Sequence, residues 1–246
     1  MENIKDALRA HDIAFSAIKN PQGRIVVSTQ DEKALRVLKC VFGVTSLSFA
    51  KKIERDVQEI KEEALDLFKK MADPAQTFRI STQRLDKTFA LTSPQVNAAV
   101  GAYIVEQEGA QVNLNSPDLN IGIEILYNAA YVFAGRTPGY GGIPVGVQGK
   151  VLINLKDRRS AVAGWMMLRR GCELVVCGNV ELAGYLEPFS FGHPITYVSN
   201  PEKAKNVLAA AFSEFEPEKR KIPSFYPLLG LSEQQIKNIE ALIFGR

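Results

Sequence analysis

A short apolar run leads directly into a helical segment near residue 156, and this junction constrains the fold more than any other feature of the chain. Residues 151–155 (VLINL) read as a buried strand, and residues 160–170 (SAVAGWMMLRR) read as a helix. In α/β proteins such a junction commonly holds phosphate against the backbone N–H groups of its turn. The sequence therefore predicts an α/β segment here, with a turn that has to be tested for nucleotide binding.

The turn itself reads Lys156-Asp157-Arg158-Arg159 and contains no glycine. A phosphate-binding turn needs glycine where the backbone approaches the anion and adopts unusual dihedral angles. Here the side chains would crowd that space, and the carboxylate of Asp157 would repel a triphosphate. The turn therefore favours residual affinity for a polyanion such as an RNA backbone over specific binding of ATP.

Composition narrows the function classes. The 246 residues are enough for one large domain or for two to three small ones, and 46% hydrophobic and 23% charged residues are ordinary for a globular protein. No run of 18 apolar residues occurs, and the N-terminus MENIKDALRAHD lacks the apolar segment of a secretory signal. We therefore expect a cytoplasmic protein without membrane contact. The net charge of +3 does not by itself indicate nucleic-acid binding.

The residue types that usually carry metal or nucleophilic chemistry are scarce. Cys40, Cys172 and Cys177 are too few for a disulfide framework, and no CxxC pair is present. Only two histidines occur, His11 and His193, and neither has an obvious acidic or nucleophilic partner in the sequence. We predict no metal site and no catalytic residue, and we interpret the cysteines as structural.

The N-terminal 50 residues show the order helix, strand, strand, helix, strand. The two strands flank a turn at residues 20–23 (NPQG). This order resembles a ferredoxin-like βαββαβ unit that lacks its first, central strand. Because that absence would leave two exposed strand edges, we expect either upstream residues or a strand from a second copy or a partner chain to complete the sheet.

The middle of the chain alternates helices and strands. A helix is predicted over residues 54–72, a strand over 77–82 and a helix from the N-cap Ser93. A hairpin follows about Tyr127-Asn128, and the Gly/Pro-rich residues 135–149 are the best candidate for a linker.

Beyond residue 171 a second strand is predicted over 172–177 and a loop over 178–196. Residues 201–215 (PEKAKNVLAAAFSEF) read as a helix capped by Asn200. A terminal helix begins at its N-cap Ser232.

Cations cluster in and after the strand at residues 77–82. Arg79 points from the polar side of that strand, and Arg84 and Lys87 follow it with Asp86 as the one acid among them. Arg136 in the Gly-rich segment and Lys150 before the strand at 151–155 are further candidates. We predict that these five cations contact RNA, although a solvated loop would have a similar composition.

Several stretches in fixed order resemble the tRNA 4-thiouridine synthetase (tRNA sulfurtransferase) family. FRISTQRLDKTFALTSPQVNAAVGAYI resembles the core of a THUMP domain, an RNA-binding module, and AYVFAGRTPGYGGIPVGVQGKVL resembles its exit. The helix after the family's PP-loop is similar to the stretch AVAGWMMLRRG. A late part of the same domain is similar to the stretch PSFYPLLGLSEQQIKNIEALI. The resemblance covers nearly the whole chain.

The resemblance implies a multi-domain fold that combines α/β and α+β parts. We expect a truncated ferredoxin-like domain at 1–50, a THUMP domain at 51–148 and a shortened, Rossmann-like PP-loop domain at 149–246. In the family the PP-loop reads SGGxDS and holds the pyrophosphate of ATP. Here only Ser160 matches, and the stretch with the family's catalytic cysteine is largely missing after Cys177. Residues 156–160 are therefore interpreted as a vestigial phosphate loop.

These observations lead to one preferred function and two alternatives. We expect a THUMP protein that binds tRNA or a tRNA-like RNA and lacks adenylation activity, with no cofactor. The first alternative is an ATP-dependent tRNA sulfurtransferase of 4-thiouridine biosynthesis, with a non-standard ATP site and Mg²⁺. The second is an accessory subunit of a tRNA-modifying complex.

Overall fold

The computed structural model describes residues 1–71, 73, 76–215 and 222–245. The α-helices in this part of the chain are α1 (Glu2–Ala10), α2 (Lys33–Leu38), α3 (Val57–Met71), α4 (Ser93–Glu108), α5 (Arg158–Arg169), α6 (Val180–Gly184) and α7 (Glu233–Phe244). The strands are β1 (Ala17–Lys19), β2 (Val26–Ser28), β3 (Ser46–Leu47), β4 (Ala50–Ile53), β5 (Thr77–Arg84), β6 (Gln111–Val112), β7 (Leu119–Leu126), β8 (Ala129–Ala134), β9 (Thr137–Pro138), β10 (Lys150–Leu155), β11 (Glu173–Gly178), β12 (Thr196–Tyr197), β13 (Val207–Ala211) and β14 (Ser224–Phe225).

Contacts divide the chain into two compact units, and each is assembled from separate segments. The first unit contains residues 1–15, 29–47 and 138–246, and the second contains residues 16–28 and 48–137. The predicted domain ranges do not coincide with these units. In both units, chain segments that are distant in sequence pack together. The predicted domain ranges stay predictions.

The second unit contains a five-stranded sheet in the order β4-β8-β7-β5-β6. β5 pairs in parallel with β6 and β7, whereas β8 runs antiparallel to β7 and β4. Phe78 and Ile80 are buried in β5, and Arg79 and Ser81 alternate with them toward the other face. This alternation confirms the pattern predicted from the sequence.

Helices α3 and α4 cover one face of that sheet. Ile60, Ala64 and Phe68 recur along α3 at helical spacing and are buried against strand residues such as Phe78 and Ile121. Helix α4 begins one residue earlier than predicted. Its N-cap is Thr92, whose backbone N–H donates to Gln95 Oε1 at 2.8 Å.

The strands of the N-terminal 50 residues differ in detail from the expected ferredoxin-like unit. β1 and β2 pair antiparallel as a separate two-stranded sheet around the predicted turn. β4 instead pairs with β8, from Ala50 opposite Phe133 to Ile53 opposite Ala130. That pairing gives β4 a partner within the chain. Completion of an N-terminal sheet by a second copy or another chain stays a prediction.

The first unit contains an all-parallel sheet in the order β12-β11-β10-β13-β14. The predicted strand–turn–helix junction corresponds to β10 and α5, and β11 is the predicted second strand. Val151, Ile153 and Leu155 face a core shared with α5, α6 and α7, in which Trp165 packs against Phe42 at a ring distance of 5.2 Å. β10 lies in the centre of the sheet, as an α/β architecture requires.

The helix predicted over residues 201–215 is wrong. One 3-10 turn spans Pro201–Lys203, and residues 207–211 form strand β13 between β10 and β14. Asn206 has a positive φ of 56°, which interrupts any helix at that position. The sheet then buries Ala209, Ala210 and Ala211 and overrides the helical propensity of alanine.

The Gly/Pro-rich residues 135–149 are not a free linker over most of their length. The part that belongs to the first unit is packed closely, and glycine is needed there for the close approach of other groups. A Cβ on Gly142, where φ is +81°, would lie 2.3 Å from the carbonyl oxygen of Arg169. A Cβ on Gly146 would lie 2.1 Å from the ring of His193.

Candidate nucleic-acid interface

Two of the predicted RNA contacts, Arg79 and Arg84, lie in the second unit and are engaged by the protein itself. Arg79 Nε donates to Asn120 Oδ1 at 3.1 Å, and its Nη1 donates to the carbonyl oxygen of Leu114 at 2.9 Å. Arg84 Nη1 donates to the carbonyl oxygens of Phe89 and Leu91 at 2.8 and 3.0 Å. Both side chains therefore hold neighbouring loops in place, which leaves fewer of their N–H groups for a ligand.

Lys87 and Arg136 are the more accessible of the cations predicted for this unit. Lys87 is exposed, and its Nζ donates to the carbonyl oxygen of Arg84 at 3.2 Å. Arg136 Nη2 donates to Glu124 Oε1 at 3.2 Å, and its guanidinium lies 5.6 Å from the centroid of the Phe133 ring. These two residues can reach a polyanion without breaking the sheet.

Sequence reasoning missed several ion pairs of the second unit. Arg55 pairs with Asp86, and its Nη1 donates to the carbonyl oxygen of Tyr127 at 2.6 Å. The Asp86 side chain accepts bonds from the backbone N–H and the hydroxyl of Thr88. These bonds, together with the charge of Arg55, hold the pKa of Asp86 below its usual value. The cluster ties the loop after β5 to the β7–β8 turn.

Another missed pair joins Arg24 to Glu124, with Arg24 Nε at 2.8 Å from Glu124 Oε2. No sequence signal could have identified it, because the two residues are separated by 100 positions and lie in different segments of the unit. Glu124 thereby contacts both Arg24 and Arg136.

Lys150, the fifth predicted cation, lies in the first unit at the start of β10. Its Nζ is 3.8 Å from Glu173 Oε2, and the other oxygen of Glu173 is 3.6 Å from Nδ1 of His193. Each is a weak, partly exposed contact. Lys150 is placed at the opposite end of its strand from the turn at residue 156.

The predicted vestigial loop is shorter than the sequence indicated, because Arg158 and Arg159 already belong to α5. Asp157 is the N-cap of that helix, and its Oδ1 accepts the backbone N–H of Ser160 at 2.8 Å. Ser160 is buried, and its Oγ accepts the N–H groups of Lys156 and Asp157 at 2.9 and 3.0 Å. The N–H groups of Lys156, Asp157 and Ser160 are thus bonded within the turn.

The two arginines at the start of α5 contact helix α7. Arg159 donates to both carboxylate oxygens of Glu233 at 3.0–3.1 Å, and the guanidinium of Arg158 lies 4.9 Å from the centroid of the Phe244 ring. The bond to Arg159 lowers the pKa of Glu233. In the same way Glu233 raises the pKa of Arg159. Both arginines therefore stabilise the packing of α7 within the first unit.

The remaining candidates are the three cysteines. Cys40, Cys172 and Cys177 are buried, and burial raises the pKa of the thiols of Cys172 and Cys177. Across the described ranges, no three or more His, Cys, Asp or Glu side chains converge in a way that could hold a metal ion. Nor does any helix in those ranges have both the length and the apolarity needed to cross a membrane.

Comparison with known proteins relates the chain to proteins of similar sequence and fold. A model of the THUMP domain matches residues 54–134, which contain α3, β5, α4 and the β7–β8 hairpin. The chain is 37% identical over 181 residues to the probable tRNA sulfurtransferase of Thermococcus kodakarensis. It is 39% identical over 183 residues to that of Methanocaldococcus jannaschii. Each match covers 71% of this chain and 48% of the relative.

The chain contains a THUMP domain and is similar to tRNA sulfurtransferases over 71% of its length. This confirms the resemblance found in the sequence. The chain spans about half the length of the curated family members that it matches.

Two solved structures agree with the family fold. The crystal structure of PH1313 from Pyrococcus horikoshii Ot3 has a TM-score of 0.89 and 28% identity, and the match covers 98% of this chain and 91% of that one. A 4-thiouridine synthetase in complex with RNA and bound ATP has a TM-score of 0.80 and 20% identity, with coverage of 99% and 79%. The predicted multi-domain fold with α/β parts is confirmed.

Proposed function

We propose that this protein binds tRNA, or an RNA of similar shape, in the cytoplasm, and does not adenylate it. The observation that carries the proposal is the THUMP match over residues 54–134. The relatives named as tRNA sulfurtransferases support tRNA as the partner. Lys87 and Arg136 are exposed on or beside this segment and supply positive charge without an obligatory structural role.

Binding of this kind relies on phosphate contacts and on shape. The major groove of an A-form RNA helix is too narrow for side chains, so proteins contact the phosphates and 2′-hydroxyl groups instead. Lysine and arginine at the surface displace counterions from the phosphates, which makes the affinity depend strongly on salt. Arg79 and Arg84 contribute chiefly by fixing the loops that surround such a surface.

The absence of adenylation is proposed from the turn at the start of α5. ATP is the nucleotide that the family fold implies for this position. The carboxylate of Asp157 already lies at the helix N-terminus, where the phosphates would have to bind, and Ser160 Oγ accepts two further N–H groups of the turn. These residues do not fit a triphosphate, since binding would break three hydrogen bonds and bring two anions together.

A second candidate function is ATP-dependent sulfur transfer to tRNA through a rearranged site. The order β12-β11-β10-β13-β14 favours it, because connections leave β10 and β13 toward opposite sides. Doubly wound sheets bind nucleotides beyond the carboxyl ends of strands at such a switch point. A rise in melting temperature with Mg²⁺ and ATP would support this candidate over the first.

The first proposal is tested by titrating the full chain with unmodified tRNA and recording fluorescence anisotropy between 50 and 300 mM KCl. We expect measurable binding at low salt and a linear fall of log affinity with log salt, with a slope of about −0.9 for each phosphate contacted. A DNA duplex of equal length, whose grooves differ in shape, should bind more weakly. No binding of tRNA at 50 mM KCl would refute the proposal.

A further inference from the structure

Glu124 in β7 holds two arginines from separate segments of the second unit. Arg24 follows the turn between β1 and β2 and places Nε 2.8 Å from Glu124 Oε2. Arg136 follows β8 and places Nη2 3.2 Å from Glu124 Oε1. Each carboxylate oxygen thus receives one guanidinium, and the two guanidiniums are neighbours because they share this acid.

Exposure is distributed unevenly among the three side chains. Glu124 is 15% exposed, whereas Arg24 and Arg136 are 37% and 54% exposed. The carboxylate therefore lies beneath the two guanidiniums, and their outer N–H groups face solvent. Within the ranges that the structure describes, neither guanidinium has another hydrogen-bond partner. Since a guanidinium carries five N–H groups, each keeps donors for a ligand.

Arg136 is also supported from below by an aromatic ring. Its guanidinium lies 5.6 Å from the centroid of Phe133, which is buried on the sheet face opposite α3 and α4. The Phe133 ring in turn lies over Gly122 in the neighbouring strand, where a Cβ would come within 2.3 Å of it. Glycine at position 122 is thus required for the ring position, and the ring and Glu124 together fix the guanidinium.

The three side chains have a net charge of +1 and present guanidinium donors outward. Two adjacent guanidiniums suit the oxygens of a phosphate, because their planar arrays of donors match its geometry better than ammonium groups do. Glu124 supplies the orientation, so that less side-chain entropy is lost when the anion binds. A carboxylate buried between two arginines is also a stable arrangement without ligand.

We propose that Arg24 and Arg136 form a clamp for one backbone phosphate of bound RNA, with Glu124 as the positioning residue; this rests on the RNA binding proposed above. The clamp adds Arg24 to the RNA-contacting residues and gives Glu124 and Gly122 defined roles. Its ligand is the phosphodiester of an RNA strand, so it contributes to affinity without reading sequence.

The test compares tRNA binding of the wild type, the double variant R24A/R136A and the control K61A/K70A. The control removes the same charge from α3, which covers the other face of the sheet. We expect R24A/R136A to weaken binding roughly tenfold and to reduce the salt slope by about 1, whereas the control changes both much less. Equal effects of the two double variants would overturn the clamp while leaving RNA binding intact.

A second variant keeps the test decisive if R24A/R136A fails to fold. R24K/R136K retains the charge but replaces both guanidinium groups with ammonium groups, and thermal unfolding verifies its fold. We expect it to keep the wild-type salt slope and to bind several-fold more weakly. Wild-type affinity of R24K/R136K would contradict the clamp. Failure of the wild type to bind tRNA would instead refute the proposed function, and the clamp with it.

Discussion

Arg159 and Glu233 form a two-point ion pair, in which Nη1 and Nη2 of the guanidinium lie 3.0–3.1 Å from the carboxylate oxygens. Arg159 is the second residue of α5, and Glu233 is the first residue of α7. The pair thus joins the start of α5 to the start of α7.

We expect Arg159→Ala to lower the melting temperature at pH 7 by at most about 4 °C, because the pair is partly exposed. The arginine lowers the pKa of Glu233, so its contribution is present above the ordinary carboxyl pKa and is lost as pH falls through the depressed value. Thermal unfolding from pH 7 to pH 2.5 should therefore show the melting temperatures of the wild type and of the variant converging in acid. A difference between the two melting temperatures that widens toward low pH would contradict the assignment.

The buried hydroxyl of Ser160 closes the turn before α5. Ser160→Ala leaves the N–H groups of Lys156 and Asp157 without their acceptor, so we expect a loss of about 1–3 kcal/mol in the free energy of unfolding. Urea unfolding measures this loss. The exposed Ser199 offers a matched control, and Ser199→Ala should remain within about 0.5 kcal/mol of the wild type. Equal stabilities of the two variants would show that the turn is not held by Ser160.

Substitutions of Arg84 and Lys87 should distinguish a structural role from a role in RNA binding. Arg84→Ala removes two bonds to the carbonyl oxygens of Phe89 and Leu91, which should cost about 1–3 kcal/mol of stability. Lys87→Ala should leave stability within about 0.5 kcal/mol and weaken tRNA binding with a smaller salt slope. Urea unfolding and anisotropy together check both statements. The reverse pattern, with a destabilised Lys87 variant, would be inconsistent with the structure.

The thiols should be unreactive in the folded protein. Cys172 and Cys177 are buried and their pKa values are raised by that burial, so little thiolate forms at pH 8 and reagents have poor access. A colorimetric thiol reagent should modify neither residue in native buffer and all three cysteines of the chain in 6 M guanidinium chloride. Rapid native modification of Cys177 would mean that this end of β11 opens readily.

Elements whose pattern repeats locally could be predicted from the sequence. The apolar stripe of α3, the alternation of β5 and the Tyr127-Asn128 hairpin turn all follow from side-chain periodicity over a few residues. The sequence also contains signals for the starts of α4 and α5, which both begin earlier than predicted. Asp157 and Thr92 are good N-caps, and Gln95 lies at the capping-box spacing from Thr92.

Features that depend on distant residues could not be predicted. Alanines at 209–211 favour a helix locally, and only the place of β13 between two other strands makes them extended. Likewise Arg24 and Glu124 carry no mark of their pairing, since it depends on how the β1–β2 segment packs against β7. The clustering of cations in the sequence likewise gives no indication that Arg79 and Arg84 are bonded to neighbouring loops.

We propose above that the protein combines an RNA-binding surface with a turn that does not accept ATP. The most direct test is the melting temperature of the full chain with saturating tRNA, measured with and without Mg²⁺ and millimolar ATP. We expect stabilisation by tRNA and no further change with ATP. A saturable rise with ATP, which amounts to about 2.7 kcal/mol at 100 times the dissociation constant, would contradict it.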